Sequence, residues 1–133
     1  MILKKYLQTL KYECYNQTNK ELFMIKRTVK DNGKIEYSLV QGDSFRLGVN
    51  TNTSEQVVDK IVFNVMDSQY NILKSVPYQQ LEDDLWVVWY TTEITSEFEV
   101  RSDYLTEIEV TYVDGGVDTI EQAKLKVTEQ GKE

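Results

Sequence analysis

Apolar and polar residues alternate along most of this chain, and the alternation breaks at intervals of about ten residues. Phe45, Leu47 and Val49 are interleaved with Ser44, Arg46, Gly48 and Asn50. A period of two predicts a half-buried strand with the first set inward. Lys60–Met66 repeats the pattern, with Ile61, Phe63 and Val65 on one face and Val62 and Met66 making the other partly apolar. Ile72–Pro77 predicts a further strand, and Pro77, lacking an N–H, suits an edge or a strand end. In Tyr104–Val113 the residues Tyr104, Ile108, Val110 and Tyr112 point one way and Glu107, Glu109 and Thr111 the other. Val117–Val127 returns with Ala123, Leu125 and Val127 inward. One run does not alternate: Leu85-Trp86-Val87-Val88-Trp89-Tyr90 is apolar throughout. Six apolar residues, five of them β-branched or aromatic, predict a strand, and one apolar on both sides needs cover on both. Trp86 and Trp89 are therefore expected in the core.

The punctuation supports the same reading. Leu22–Lys30 and Ile35–Val40 flank Asp31-Asn32-Gly33-Lys34, and Asn-Gly predicts a hairpin closed by a type I′ turn. Gln41-Gly42-Asp43 and Asp114-Gly115-Gly116 break runs with residues that tolerate positive φ. Asn50–Gln56 is a polar loop, Asp67–Asn71 a turn, and Glu82-Asp83-Asp84 an acidic turn before the tryptophan-bearing run. Glu93–Val100 reads as a loop or one helical turn, with Ile94 and Phe98 four apart to plug one end of the core. About eight strands joined by short turns predict an antiparallel sandwich or barrel. The expected division is an N-terminal extension or arm over 1–21, a β domain over 22–128 and a polar tail over 129–133. In Met1–Gln17 the period is ambiguous. Leu3, Tyr6, Leu7, Leu10 and Cys14 share a helical stripe, while Leu10, Tyr12 and Cys14 also alternate as in a strand.

Composition narrows the function classes. The 133 residues suit one domain able to fold alone. A net charge of −7 disfavours a nucleic-acid binder, which needs clustered Lys and Arg. The charge is uneven: residues 1–41 carry +4, 42–92 carry −4 and 93–133 carry −7. That distribution suits solvated faces, or a subunit that docks on one of opposite sign. No apolar run approaches a membrane span, and the first fifteen residues lack the apolar stretch of a signal peptide. Synthesis in the cytoplasm without export is the expectation.

Chemistry is scarce. There is no His and one Cys, Cys14. The usual activated serine or cysteine nucleophile has no base, and a zinc site would have to be all carboxylate. Glu107 and Glu109 could form a carboxylate pair, but two residues apart on an outward strand face they read as exposed surface. Glu82-Asp83-Asp84 lacks the spacing of a calcium loop. No catalytic residue, cofactor or metal is expected. Tyr12, Tyr15, Tyr70 and Tyr78 lie outside the inward sets; with Leu3, Tyr6, Leu7 and Leu10 they are the candidate assembly interface.

Two stretches resemble a family of tailed-phage virion domains. Val40-Gln41-Gly42-Asp43-Ser44-Phe45-Arg46-Leu47 resembles the (R/Q)-G-D-(S/T)-F-x-(L/F) opening of the immunoglobulin-like domains at the N-terminus of upper baseplate proteins and in small phage structural proteins. From Leu85 to Val127, an aromatic strand, Thr92-Glu93-Ile94-Thr95, a strand from Tyr104, the Asp114-Gly115 turn and a closing strand follow the same family's order. The similarity spans residues 36–128. It departs at Ser102, where the family has Gly, and has no counterpart for 1–35. The resemblance implies an immunoglobulin-like antiparallel sandwich of about seven to nine strands with a short N-terminal extension. It implies a non-enzymatic virion component in a baseplate, tail or capsid decoration, made in the host cytoplasm. Its partners would be other phage structural proteins and copies of itself, without nucleic acid or membrane. Two other classes fit the residues: a small acidic inhibitor of a basic host protein, and a carbohydrate-binding sandwich module.

Overall fold

The computed structural model describes residues 8–9, 25–52 and 54–129. In chain order the elements are β1 (Gln8–Thr9), β2 (Ile25–Val29), β3 (Ile35–Val40), β4 (Phe45–Asn50), β5 (Val58–Met66), β6 (Ile72–Pro77), β7 (Gln79–Glu82), β8 (Leu85–Tyr90), α1 (Thr92–Thr95), β9 (Arg101–Tyr112) and β10 (Val117–Thr128). One sheet runs β1-β4-β8-β7 and the other β2-β3-β10-β9-β5-β6. Their facing sides enclose a core that includes Tyr37, Leu39, Phe45, Ile61, Phe63, Val88, Tyr90, Ile108 and Leu125. The inward sets expected from the alternation of β4, β5, β9 and β10 are all buried.

The strand order is that of an immunoglobulin-like sandwich. β4, β8 and β7 make one layer, β10, β9, β5 and β6 the other, and an early strand, β3, lies against the last. A further mark of this class stands at the start of β9. The Tyr104 hydroxyl accepts a 2.8 Å hydrogen bond from the Glu99 N–H, five residues upstream, the tyrosine corner of such sandwiches. Ile94 and Phe98 pack on the core beside it, as a one-turn plug should.

Four expectations need correction. First, the sandwich is not wholly antiparallel: β3 and β10 pair in parallel, from Ile35↔Ala123 to Val40↔Thr128. Second, Glu82, expected in the acidic turn, instead ends a strand, Gln79–Glu82, to which no element was assigned and which carries a register irregularity. Third, the 31–34 turn is not type I′. Only Gly33 has positive φ, at 84°, and its N–H bonds the Lys30 carbonyl at 2.8 Å while Lys30 N–H bonds Lys34. This is a type I turn closed by a glycine bulge, and Asn32 serves by accepting from the Lys34 N–H at 3.0 Å. Gly115 (φ 96°) repeats the device after Tyr112. Fourth, β8 is covered fully on one face only. Trp86, Val88 and Tyr90 face the core, whereas Trp89 is 53% exposed. Tyr90 is the hub of that inner face. It stacks on Phe45 at 4.9 Å, meets Phe63 edge-on at 5.4 Å, and donates to the Phe63 carbonyl at 2.9 Å.

Candidate functional site

Of the eight residues expected at an assembly interface, Leu3, Tyr6, Leu7, Leu10, Tyr12 and Tyr15 lie outside the described residues. Within that extension, Gln8–Thr9 runs as a short strand antiparallel to the end of β4. The remaining two, Tyr70 and Tyr78, part company. Tyr78 is 5% exposed and belongs to the core, which corrects its assignment to a surface. The reason is topological. At Tyr78 the chain leaves the six-stranded sheet for the four-stranded one, its N–H bonds the Ile61 carbonyl at 2.8 Å, and the ring turns in between the layers.

Tyr70 is 68% exposed at the tip of the β5–β6 loop. Its φ of 68° is the one positive value among the described non-glycine residues, an uncommon conformation for an aromatic side chain. Asp67 imposes it. The Asp67 carboxylate accepts from the Gln69 and Asn71 N–H groups at 2.8 and 2.9 Å and from the Asn71 side chain at 2.9 Å. The Asn71 side chain first, then these backbone donors, hold the Asp67 pKa below its ordinary value despite some desolvation. The ring is thus presented to solvent from a loop with few alternatives.

From Tyr70 the chain continues along one lateral rim of the sandwich. β6 ends the six-stranded sheet, β7 ends the four-stranded one, and the two follow each other without a turn. Tyr70, Ile72, Leu73 and Leu81 are exposed on this stretch at 68, 58, 49 and 57%. Trp89 lies beside it on β8, with the Arg46 guanidinium 4.1 Å from its ring centroid across the Arg46↔Trp89 pair. Residues 68–81 contain a single charged side chain, Lys74, in a chain that is 28% charged. Period and turn signals do not register that gap; a window count of charge does.

A second constellation is buried at the opposite rim. Arg27 on β2 places a guanidinium nitrogen 2.7 Å from a Glu121 carboxylate oxygen, with side chains 16% and 5% exposed. The Tyr37 hydroxyl donates to the other Glu121 oxygen. Burial pushes the Tyr37 pKa well up, and the neighbouring carboxylate adds to it. For Arg27, burial lowers the pKa but the Glu121 bond and charge outweigh it, so the net direction is up. The cluster ties β2 and β3 to β10. It holds its charges paired and inward, which suits structure better than catalysis. Among the described residues, no three acidic or cysteine side chains converge to hold a metal ion. Glu82, Asp83 and Asp84 lie exposed around the β7–β8 turn.

No protein-family model matches the chain, and no curated protein matches it. Among solved structures it is similar to the fibronectin(III)-like modules of Clostridium thermocellum CbhA. The match is 13% identical, has a TM-score of 0.46, and covers 80% of this chain and 98% of that one.

Proposed function

We propose that this chain is a non-enzymatic structural component of a tailed-phage or prophage particle that acts by packing against other particle proteins and copies of itself. The observation that supports this most is how the two family-like stretches meet. Gly42, at φ 90°, turns the chain out of β3. The Gln41 side chain donates to the Phe98 carbonyl at 2.7 Å, and the Gln41 N–H to Thr128 at 2.8 Å. The Val40–Leu47 motif is thus built into the same corner as α1 and the end of β10, which gives its residues a shared structural purpose. The charge-poor rim with a preset aromatic tip suits a protein that works through surface contact. The test is to induce particle production in the encoding strain, band the particles by density and probe them for the chain. A fixed stoichiometry in intact particles is expected; presence only in the cleared lysate would remove the reading.

One observation favours a carbohydrate-binding module instead. Trp89 stands exposed on a sheet face beside a guanidinium, the pairing that can stack on a sugar ring and bond its hydroxyls. Trp89 fluorescence titrated with a panel of oligosaccharides, with Trp89→Phe as the blank, decides it. A saturable change lost in the variant supports this second reading, and a flat response excludes it for that panel.

A further inference from the structure

We propose that the β6 rim is a homodimer contact, in which two copies of this chain align their β6 strands antiparallel about a two-fold axis through Ser75. The inference rests on the assembly reading above and names the partner and the surface. Three observations carry it.

The first is that β6 is an outermost strand of the six-stranded sheet among the described strands, so one row of its backbone groups faces away from the sandwich. Such a row is a template for another strand unless charge or shape blocks it. Here the blocking devices are few. Lys74 is the one charge over 68–81, and Pro77 falls at the strand's end.

The second is charge. Each copy carries −7, so two copies repel over most orientations. The nearly uncharged rim is where they approach at least cost, and exposed Ile72, Leu73 and Leu81 are there to be covered. The opposite rim is unlike it, carrying exposed Lys26, Lys30 and Lys34 around the β2–β3 hairpin. A partner of strong charge suits that side, whereas a second copy of the neutral rim suits this one.

The third is size and register. β6 and β7 together run roughly 35 Å, across two layers about 10 Å apart. With side chains this gives roughly 700 Å² per copy, close to the ~800 Å² per partner of a stable interface. A two-fold axis normal to the sheet keeps faces matched, so the central residue must oppose itself. An axis through Lys74 would oppose two cations. An axis through Ser75 opposes Ser75 to Ser75, Leu73 to Pro77 and Lys74 to Val76. Ser75 and Leu73 are exposed on the outer face, and Val76 packs partly on the core.

The test uses the full chain with Cys14→Ser, so that no other thiol is present. Opposed residues in an antiparallel pair have Cβ atoms about 4.5–5.5 Å apart, within reach of a disulfide after slight adjustment. Ser75→Cys under mild oxidation is expected to give a covalent dimer on non-reducing gels, while Thr28→Cys, exposed on the opposite rim, is not. Ser75→Glu opposes two carboxylates and is expected to weaken association at least about tenfold in sedimentation equilibrium, with its thermal melt as the check on folding. In the Cys14→Ser chain, association should strengthen as salt screens the net charge. A monomer at about 1 mM, or linking through Thr28→Cys and not Ser75→Cys, overturns the inference. A dimer whose chain is missing from particles overturns the virion reading alone. A monomer found in particles overturns this inference alone.

Discussion

At the scale of single residues, Glu121 is the least expected. It occupies the inward side of β10, in line with Ala123, Leu125 and Val127, where a carboxylate is costly unless paired. The alternation of Val117–Val127 marks Ala123, Leu125 and Val127 as inward but gives no hint that the same face holds a charge, because its cation comes from 94 residues away. Removing one partner leaves the other buried and uncompensated. Arg27→Ala is expected to cost about 3 kcal/mol in urea unfolding, whereas Arg27→Met with Glu121→Leu should recover most of that loss. Equal losses in both would show that the ion pair itself stabilises. Tyrosines supply the pH dependence. Burial raises Tyr37 and Tyr90, and burial with the Asp118 bond pushes Tyr112 up to about 12. A folded-state pKa above the unfolded value of about 10 means stability is intact below that pH and is lost as pH rises through the folded values. Tyrosinate absorbance from Tyr37, Tyr90 and Tyr112 should therefore appear only together with unfolding. A single smooth titration without loss of circular dichroism would contradict it.

At the scale of elements, strands were legible and turn chemistry less so. Runs bounded by turn residues placed β3, β6 and β8 at their observed ends, and period two placed β4 to within one residue because one of its faces meets the core. Gln79–Glu82 was not legible: all four side chains are exposed, so no alternation marks them. Trp89 was misplaced for the converse reason. A uniformly apolar run reads as buried on both sides, and nothing local reveals that Arg46 would stand in for a second layer. The β2–β3 and β9–β10 turns use one device, a glycine at φ 84° and at 96°, and a Cβ added at either meets nothing within 4 Å. Gly33→Ala and Gly115→Ala should each cost about 1 kcal/mol through backbone strain alone, measured by chemical denaturation. A much larger loss at Gly115 would indicate that the hairpin also sets the β9–β10 register. The candidate surface was half legible. Tyr70 stood out as an aromatic outside the inward sets, but so did Tyr78, and only the change of sheet at Pro77–Tyr78 separates them.

At the scale of the whole molecule, the acidic body, the lysine-bearing hairpin and the neutral rim divide the surface into regions that suit different neighbours. Two layers are held together by inward faces drawn from nearly every strand, so the domain should unfold as one unit. The parallel match of Ile35–Val40 to Ala123–Thr128 adds a temporal constraint. As the ribosome delivers the chain, β3 has one of its two flanking strands early and must wait some eighty residues more, until Ala123–Thr128, to receive the other. A chain halted before Val117 should therefore be protease-sensitive throughout, and pulse-labelled nascent chains should gain protection in a single late event. The hairpin of β2 and β3 is in this sense made early and among the last parts of the domain secured.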